Sequence, residues 1–193
     1  QTKLPKHHFT VNLRSYDDIP DGIEYDVIYS IEALIHSTNI TKTMLEWSRH
    51  LAPDGIIIII DDYVVVKNHN DEDDADAAAN ANNNNYQNDP DLQSFSKSWL
   101  ANVLITTQDF ATMVESPKYD GGLTVVENRD LLAEYDIVKL NYRNHKPDVA
   151  PFGGRTHQGW MGSKWRQRLT VEGKLGYNMI VLQKKKKKGV VKE

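Results

Sequence analysis

Tyr25–Tyr63 reads YDVIYSIEALIHSTNITKTMLEWSRHLAPDGIIIIIDDY, and this stretch decides the fold class. Tyr25–Ser30 is a short apolar run that predicts a strand buried on both faces, as parallel sheets require. An acidic turn follows. Asn39 is a suitable helix N-cap, and Ile40, Met44, Trp47 and Leu51 recur at the spacing of one helical face. Arg49 and His50 fall in the last turn, where cations suit the helix dipole. Ala52-Pro53-Asp54-Gly55 ends the helix and turns the chain. Ile56–Ile60, five isoleucines in a row, predicts a central buried strand that Asp61 and Asp62 terminate. Strand, acidic turn, helix, tight turn, strand is the layout of a parallel α/β sheet. Such sheets hold small ligands at the carboxyl ends of their strands. The glycine-rich loop expected before such a unit is not in this chain.

Working outward, Phe9–Leu13 alternates apolar and polar residues and predicts another strand, followed by a polar loop over Arg14–Gly22. Downstream, Asn68–Asp89 carries six acids and no Lys or Arg. It has too little apolar surface to order itself and is expected to be a disordered insertion. Asp89-Pro90 opens a helix with Leu92, Phe95, Trp99 and Val103 on one face. A short helix is expected over Gln108–Glu115. Leu123–Asn128 predicts a strand, with Tyr135–Tyr142 as a weaker competitor for that place. Pro147–Gly159 reads as a loop, Gly162–Glu172 as a helix and Leu175–Lys184 as a last strand. Trp47 and Trp99 fit core positions. Trp160 and Trp165 fit either sheet packing or the cap of an apolar pocket.

The length of 193 residues suits one domain, 1–193, with the insertion at 68–89 and a lysine-rich tail at 184–193. The net charge is −4, but the residues outside the insertion carry 23 basic and 21 acidic side chains, so the acidity belongs to the insertion. Neither a nucleic-acid stripe nor an acidic-partner surface is indicated, and the lysine run lacks interleaved aromatics. The absence of cysteine excludes disulfides, thiolate nucleophiles and cysteine zinc sites. The histidines have no metal-ligand spacing, so no metal is expected. No run approaches the roughly 20 apolar residues of a membrane span. A cytoplasmic location is expected, with an organelle left open. Nothing in the sequence sets the oligomeric state.

Tyr25–Ala33 with His36, followed by Leu51-Ala52-Pro53-Asp54-Gly55 leading into Ile56–Asp61, resembles class I S-adenosylmethionine-dependent methyltransferases. The Ser-Ile-Glu…His stretch is most similar to the branch that methylates sterols, tocopherols and other small lipophilic acceptors. The resemblance implies an α/β fold with a Rossmann-like methyltransferase sheet, strand order resembling 3-2-1-4-5-7-6, last strand antiparallel. It places Phe9–Leu13 as the third strand, so the first two strands are missing and the chain is an N-terminally truncated fragment. Asp54 departs from the family's usual glycine. The resemblance implies S-adenosylmethionine as cofactor and a small organic molecule as partner. Ser15, Tyr16 and Asp17 then fall where the family contacts adenine, and Ser30 and Ile31 lie beneath the cofactor.

Glu32 and His36 are the candidate catalytic pair. A carboxylate just past an apolar strand is costly unless paired or useful, and there it can stabilise a cation or take a proton. An acid at a helix start is the structural alternative. Four residues apart on a helix, Glu32 and His36 would share a side, with His36 a base toward a hydroxyl or amine. A satisfied structural histidine is the alternative. Asp61 and Asp62 read either as pocket lining or as solvated strand-end acids, the second being favoured. A non-catalytic methyltransferase-like binding module lacking a complete donor site is the competing function.

Overall fold

A computed structural model describes residues 15–16, 18–66, 85–119, 121–135 and 154–185. Its elements run β1 (Tyr25–Ile31), a 3-10 turn (Leu34–His36), α1 (Ile40–Arg49), β2 (Leu51–Val64), a 3-10 turn (Asn85–Asn88), α2 (Pro90–Trp99), α3 (Thr107–Glu115), β3 (Leu123–Asp130), α4 (Leu131–Tyr135), α5 (Gly154–Val171) and β4 (Leu175–Lys184). The result is a mixed α/β architecture with a four-stranded sheet in the order β1-β2-β4-β3. β1 runs parallel to β2, and β4 runs antiparallel to both β2 and β3. Phe9–Leu13, most of the Asn/Asp tract, Tyr135–Tyr142 beyond its first residue and the lysine tail past residue 185 lie outside the described residues.

Local chemistry explains the element ends. Asn39 caps α1 through its side chain to Lys42 N at 3.0 Å. Asp89 caps α2 through Asp91 N and Leu92 N, with Pro90 as the first helical residue. Thr106 caps α3 through Asp109 N at 2.9 Å. Each such cap satisfies an otherwise orphaned helix donor and contributes about 1 kcal/mol.

The isoleucine strand sits in the middle of the sheet. Ile57 and Ile59 are fully buried against Met44, Trp47, Phe110 and Val114 from α1 and α3, and Ile180 and Leu182 from β4 join them. Complete burial of each such side chain contributes about 1.5–3 kcal/mol. A second core, made by Ile35, Val64, Leu92, Phe95, Leu169 and Leu175, packs α2 and α5 at the far end of β2 and the start of β4. Two cores on one strand are what position the site: the first holds the sheet, the second holds two helices over its carboxyl end.

Three expectations change. The strand does not end at Asp61-Asp62; β2 runs on to Val64, and both acids are buried within it. The Ala52–Gly55 turn is absorbed into the start of β2 as a bulge, because Tyr25 pairs with Leu51 while Val27 already pairs with Ile56. Asp54 takes φ +63 there, and a Cβ on Gly55 would meet Ala52 O at 2.9 Å. β1 is not buried on both faces either. It is the edge of the described sheet, and Tyr29 stands 73% exposed, with Val27 and Ile31 open on the same side. Two boundaries also shift: α5 begins at Gly154, inside the expected Pro147–Gly159 loop, and Asn85–Asn88 forms a turn at the end of the Asn/Asp tract.

Candidate functional site

The carboxyl ends of β1 and β2 bring four ionisable side chains together. Glu32 immediately follows β1, and its N–H donates to Ile60 O at 2.8 Å, carrying the ladder one residue past the strand. Its φ is +50, a left-handed conformation that costs a non-glycine residue about 1 kcal/mol. Strain of this kind persists only where its surroundings enforce it, and it concentrates at functional sites. Here the enforcement comes from Arg166 of α5, whose Nη2 donates to Glu32 Oε1 at 3.1 Å, and from Tyr177 of β4, whose hydroxyl donates to the same oxygen at 3.2 Å.

Arg166 also pairs with Asp62, Nε to Oδ2 at 2.8 Å, and its guanidinium lies 5.0 Å from the Tyr177 ring centre and 6.0 Å from that of Trp99. Asp62 is 7% exposed, so its charge has left most of its water behind and needs this partner. Burial nonetheless pushes the Asp62 carboxyl up to about 6, against the pull of Arg166. Burial would lower the Arg166 guanidinium, but Asp62 and Glu32 hold it above its ordinary value. The Tyr177 hydroxyl is pushed up to about 12 by burial and by Glu32.

Asp61, 2% exposed, points to the opposite face of β2. Its oxygens accept from Ile35 N at 3.0 Å and from its neighbour Asp62 N at 2.9 Å. Burial raises its carboxyl, and the two N–H groups and the nearby His36 partly restore it. The Ile35 contact fixes the 3-10 turn Leu34–His36 on the strand end, and so fixes His36.

His36 Nδ1 lies 2.9 Å from Leu100 O. A carbonyl only accepts, so Nδ1 carries the proton and Nε2 holds the lone pair of the neutral ring. Leu100 caps α2 in the left-handed region, φ +57, with its side chain 61% exposed. His36, Ser98, Trp99, Leu100, Gln158 and Gly159 line an open hollow of about 540 Å³ between the strand end, α2 and α5. Gly162 lets the two helices approach: a Cβ there would lie 2.5 Å from Trp99 Cε3. Of the three non-glycine residues with positive φ among the described residues, Glu32 and Leu100 both border this region.

The expected pairing of Glu32 with His36 on one helix does not occur. Glu32 is outside any helix and turns to Arg166, while His36 sits in a 3-10 turn and faces Leu100, because the left-handed Glu32 breaks the helical path between them. Ser30 is buried in β1 and its Oγ has no hydrogen-bond partner among the described residues; Ile31 beside it is 56% exposed. Tyr16 lies elsewhere: its ring packs edge-on to Trp47 and its carbonyl accepts from Trp47 Nε1 at 2.7 Å. Trp47 is eight residues beyond Asn39, about 12 Å along α1 toward the amino ends of the strands. Ser15 is exposed beside Tyr16, and Asp17 lies outside the described residues. Sequence reasoning missed Asp62 as a buried ion-pair member and missed Arg166, Tyr177 and Leu100 altogether. Two adjacent acids closing an isoleucine run were the available signal, since a charge inside an apolar strand requires a partner.

No family model matches the chain, and no curated protein sequence matches it. Solved structures do. A protein from Galdieria sulphuraria, provisionally assigned as a sarcosine dimethylglycine methyltransferase, superposes with TM-score 0.57 at 18% identity over 89% of this chain and 58% of that one. The geranyl diphosphate C-methyltransferase of Streptomyces coelicolor A3(2), solved with Mg2+, geranyl diphosphate and S-adenosyl-L-homocysteine, gives 0.55 at 13% identity over 90% and 53%. The O-methyltransferase of a trans-AT polyketide multienzyme from Brevibacillus brevis, solved with S-adenosyl-L-homocysteine, gives 0.54 at 14% identity over 89% and 48%. The chain therefore shares the α/β fold of S-adenosylmethionine-dependent methyltransferases. It spans about half the length of these structures.

Proposed function

We propose that this protein takes part in methyl transfer from S-adenosylmethionine to a small, lipophilic organic acceptor. The observation that carries the reading is the convergence of Glu32, Asp61, Asp62 and His36 at the carboxyl ends of two parallel strands, beside an open hollow. That is where ligands bind in open α/β sheets. Read against the methyltransferase sheet, β1, β2, β4 and β3 take the places of its fourth, fifth, seventh and sixth strands. The antiparallel β4 between β2 and β3 supports that assignment.

Ser30 and Ile31 would meet the cofactor. An unpartnered buried hydroxyl beside an exposed apolar side chain suits the mixed polar and apolar surface of an adenosyl group. Ser15 and Tyr16 would meet it only through a rearrangement of the loop that Trp47 now holds, and Asp17, outside the described residues, remains the third candidate beside them. The cofactor supplies an electrophilic methyl group, so the chain's task is chiefly to align the acceptor and exclude water. His36 Nε2 is placed to take a proton from the acceptor, and Asp61 stabilises the imidazolium that forms. Glu32, held by Arg166 and Tyr177, supplies a fixed negative charge at the strand end.

The test is calorimetric titration of S-adenosylhomocysteine into the protein, expressed with any sequence that its gene places before Gln1. Saturable one-to-one binding is expected. No heat at millimolar ligand would sink the reading and leave a non-catalytic binding module in its place.

A further inference from the structure

β1 is the outermost strand of the described sheet, and among the described residues no strand pairs with its outer side. Backbone groups along a strand point alternately to its two edges. Glu32 N donates to Ile60 O, so Ser30 and Ile28, in the same phase, also face β2. Val27, Tyr29 and Ile31 therefore turn their N–H and C=O groups to the open edge. Their side chains are 48%, 73% and 56% exposed. The apolar face continues inward through Ile56, Ile58 and Ile60, their half-buried partners on β2. Open edges are ordinarily blunted by lysine or proline, and β1 has neither.

Charge narrows what can cover this edge. From Ser15 to Glu32 the chain holds six acids and no Lys or Arg. Of the five acids that are described, Glu32 meets Arg166, while Asp18, Asp21, Glu24 and Asp26 meet no lysine or arginine of the described residues. A second copy of β1 would bring the same acids to the edge, setting like charge against like. A fitting strand is apolar at alternate residues and basic. Gln1–Arg14 has that chemistry: Phe9, Val11 and Leu13 alternate with Thr10 and Asn12, and the segment carries Lys3, Lys6 and Arg14 with no acid.

We propose that Phe9–Leu13 adds to the open edge of β1 as a fifth strand, antiparallel to it. The direction follows from the loop between them. Tyr16 O accepts from Trp47 Nε1 at 2.7 Å near the amino ends of the strands, and Ile23 O lies 2.8 Å from His50 Nδ1 just before β1 begins. The chain before Ser15 thus departs from the start of β1, and five residues running from there span about 17 Å, enough to pair along most of it. Setting Leu13 against Val27, Val11 against Tyr29 and Phe9 against Ile31 pairs the open backbone groups and keeps all six apolar side chains on one face. The same register brings Arg14 to Asp26. It also brings Thr10 to Ser30, whose buried Oγ has no partner among the described residues. A hydroxyl donates one hydrogen bond and accepts others, so Ser30 keeps capacity for a second partner. The added strand lies directly beside β1 and runs opposite to the parallel third strand that the methyltransferase resemblance implies.

NMR on the whole chain reads this pairing without altering it. Hα–Hα contacts are expected for Thr10–Ser30 and Asn12–Ile28, the close couples of this register. The Val27, Tyr29 and Ile31 amides should exchange about a hundredfold or more slower than free amides. Arg14→Glu should speed exchange at Val27 by about fivefold, and adding Asp26→Arg should restore it. The contacts should be independent of protein concentration and absent between differently labelled chains. Free exchange of the three amides would overturn the proposal. So would contacts from β1 of a second copy, contacts from any other segment to this edge, or exchange at Val27 that Arg14→Glu does not move.

Discussion

Arg166 and Asp62 form an ion pair at 2.8 Å across 104 positions of sequence, tying helix α5 to the central strand β2. The Asp62 side chain is only 3% exposed. Removing the guanidinium leaves a buried carboxylate with no cation and frees Glu32 as well. Arg166→Met is expected to lower stability by about 3 kcal/mol, the low end for breaking a buried pair because the arginine is partly open to water. Urea unfolding measures it, and a loss below about 0.5 kcal/mol, typical of a surface pair, would contradict the account.

The same pair sets a pH dependence of unusual sign. Burial raises the Asp62 carboxyl from its ordinary value to about 6 and also raises Asp61. The folded state therefore binds protons that the unfolded state has already released. Stability is lost as pH rises through about 6 and is recovered as pH falls from 6 toward 4. Between pH 7 and 5 the native protein should become more stable relative to Asp62→Asn, whose curve is flatter. Parallel curves over that interval would show that Asp62 is ionised throughout.

Gly162 and Gly159 lie one turn apart on α5 and predict opposite outcomes. A methyl at Gly162 would strike Trp99 Cε3 at 2.5 Å and Ser98 O at 3.2 Å, so Gly162→Ala should cost about 1–3 kcal/mol by forcing α2 and α5 apart. A Cβ on Gly159 would meet no atom of the described residues within 4 Å, and Gly159→Ala should gain about 0.5–1 kcal/mol from helix propensity. Thermal unfolding of both variants checks the contrast.

Leu100 holds a conformation that suits glycine, and its exposed side chain contributes little burial. Leu100→Gly should leave stability unchanged or raise it by up to about 1 kcal/mol. Urea unfolding of the two proteins checks it; a loss of more than about 0.5 kcal/mol would show that the left-handed turn is not strained by the leucine.

The sheet was legible in the sequence wherever local signals agreed. The five isoleucines, the Asn39 and Asp89 caps and the Leu175–Lys184 run all took the expected form. The errors share one cause. Asp61 and Asp62 read as solvated strand ends because their neutralising contacts are remote or belong to the backbone: Arg166 for Asp62, the Ile35 amide for Asp61. Glu32 and His36 read as one helical face because spacing cannot reveal a positive φ between strand and turn. β1 read as doubly buried because apolar density does not say whether a neighbouring strand covers the second face. Local chemistry marks an element; which charge meets which is decided by the tertiary fold.

The most direct measurement is methyl incorporation from S-adenosylmethionine into a panel of uncharged phenols, alcohols and amines, with native protein, Glu32→Gln and His36→Ala compared side by side. Turnover by the native protein is expected. In both variants kcat should fall by about 100-fold or more while S-adenosylhomocysteine affinity is retained, placing Glu32 and His36 at the acceptor. Turnover unchanged in both variants, or no methyl incorporation into any member of the panel by protein that binds S-adenosylhomocysteine, would contradict it.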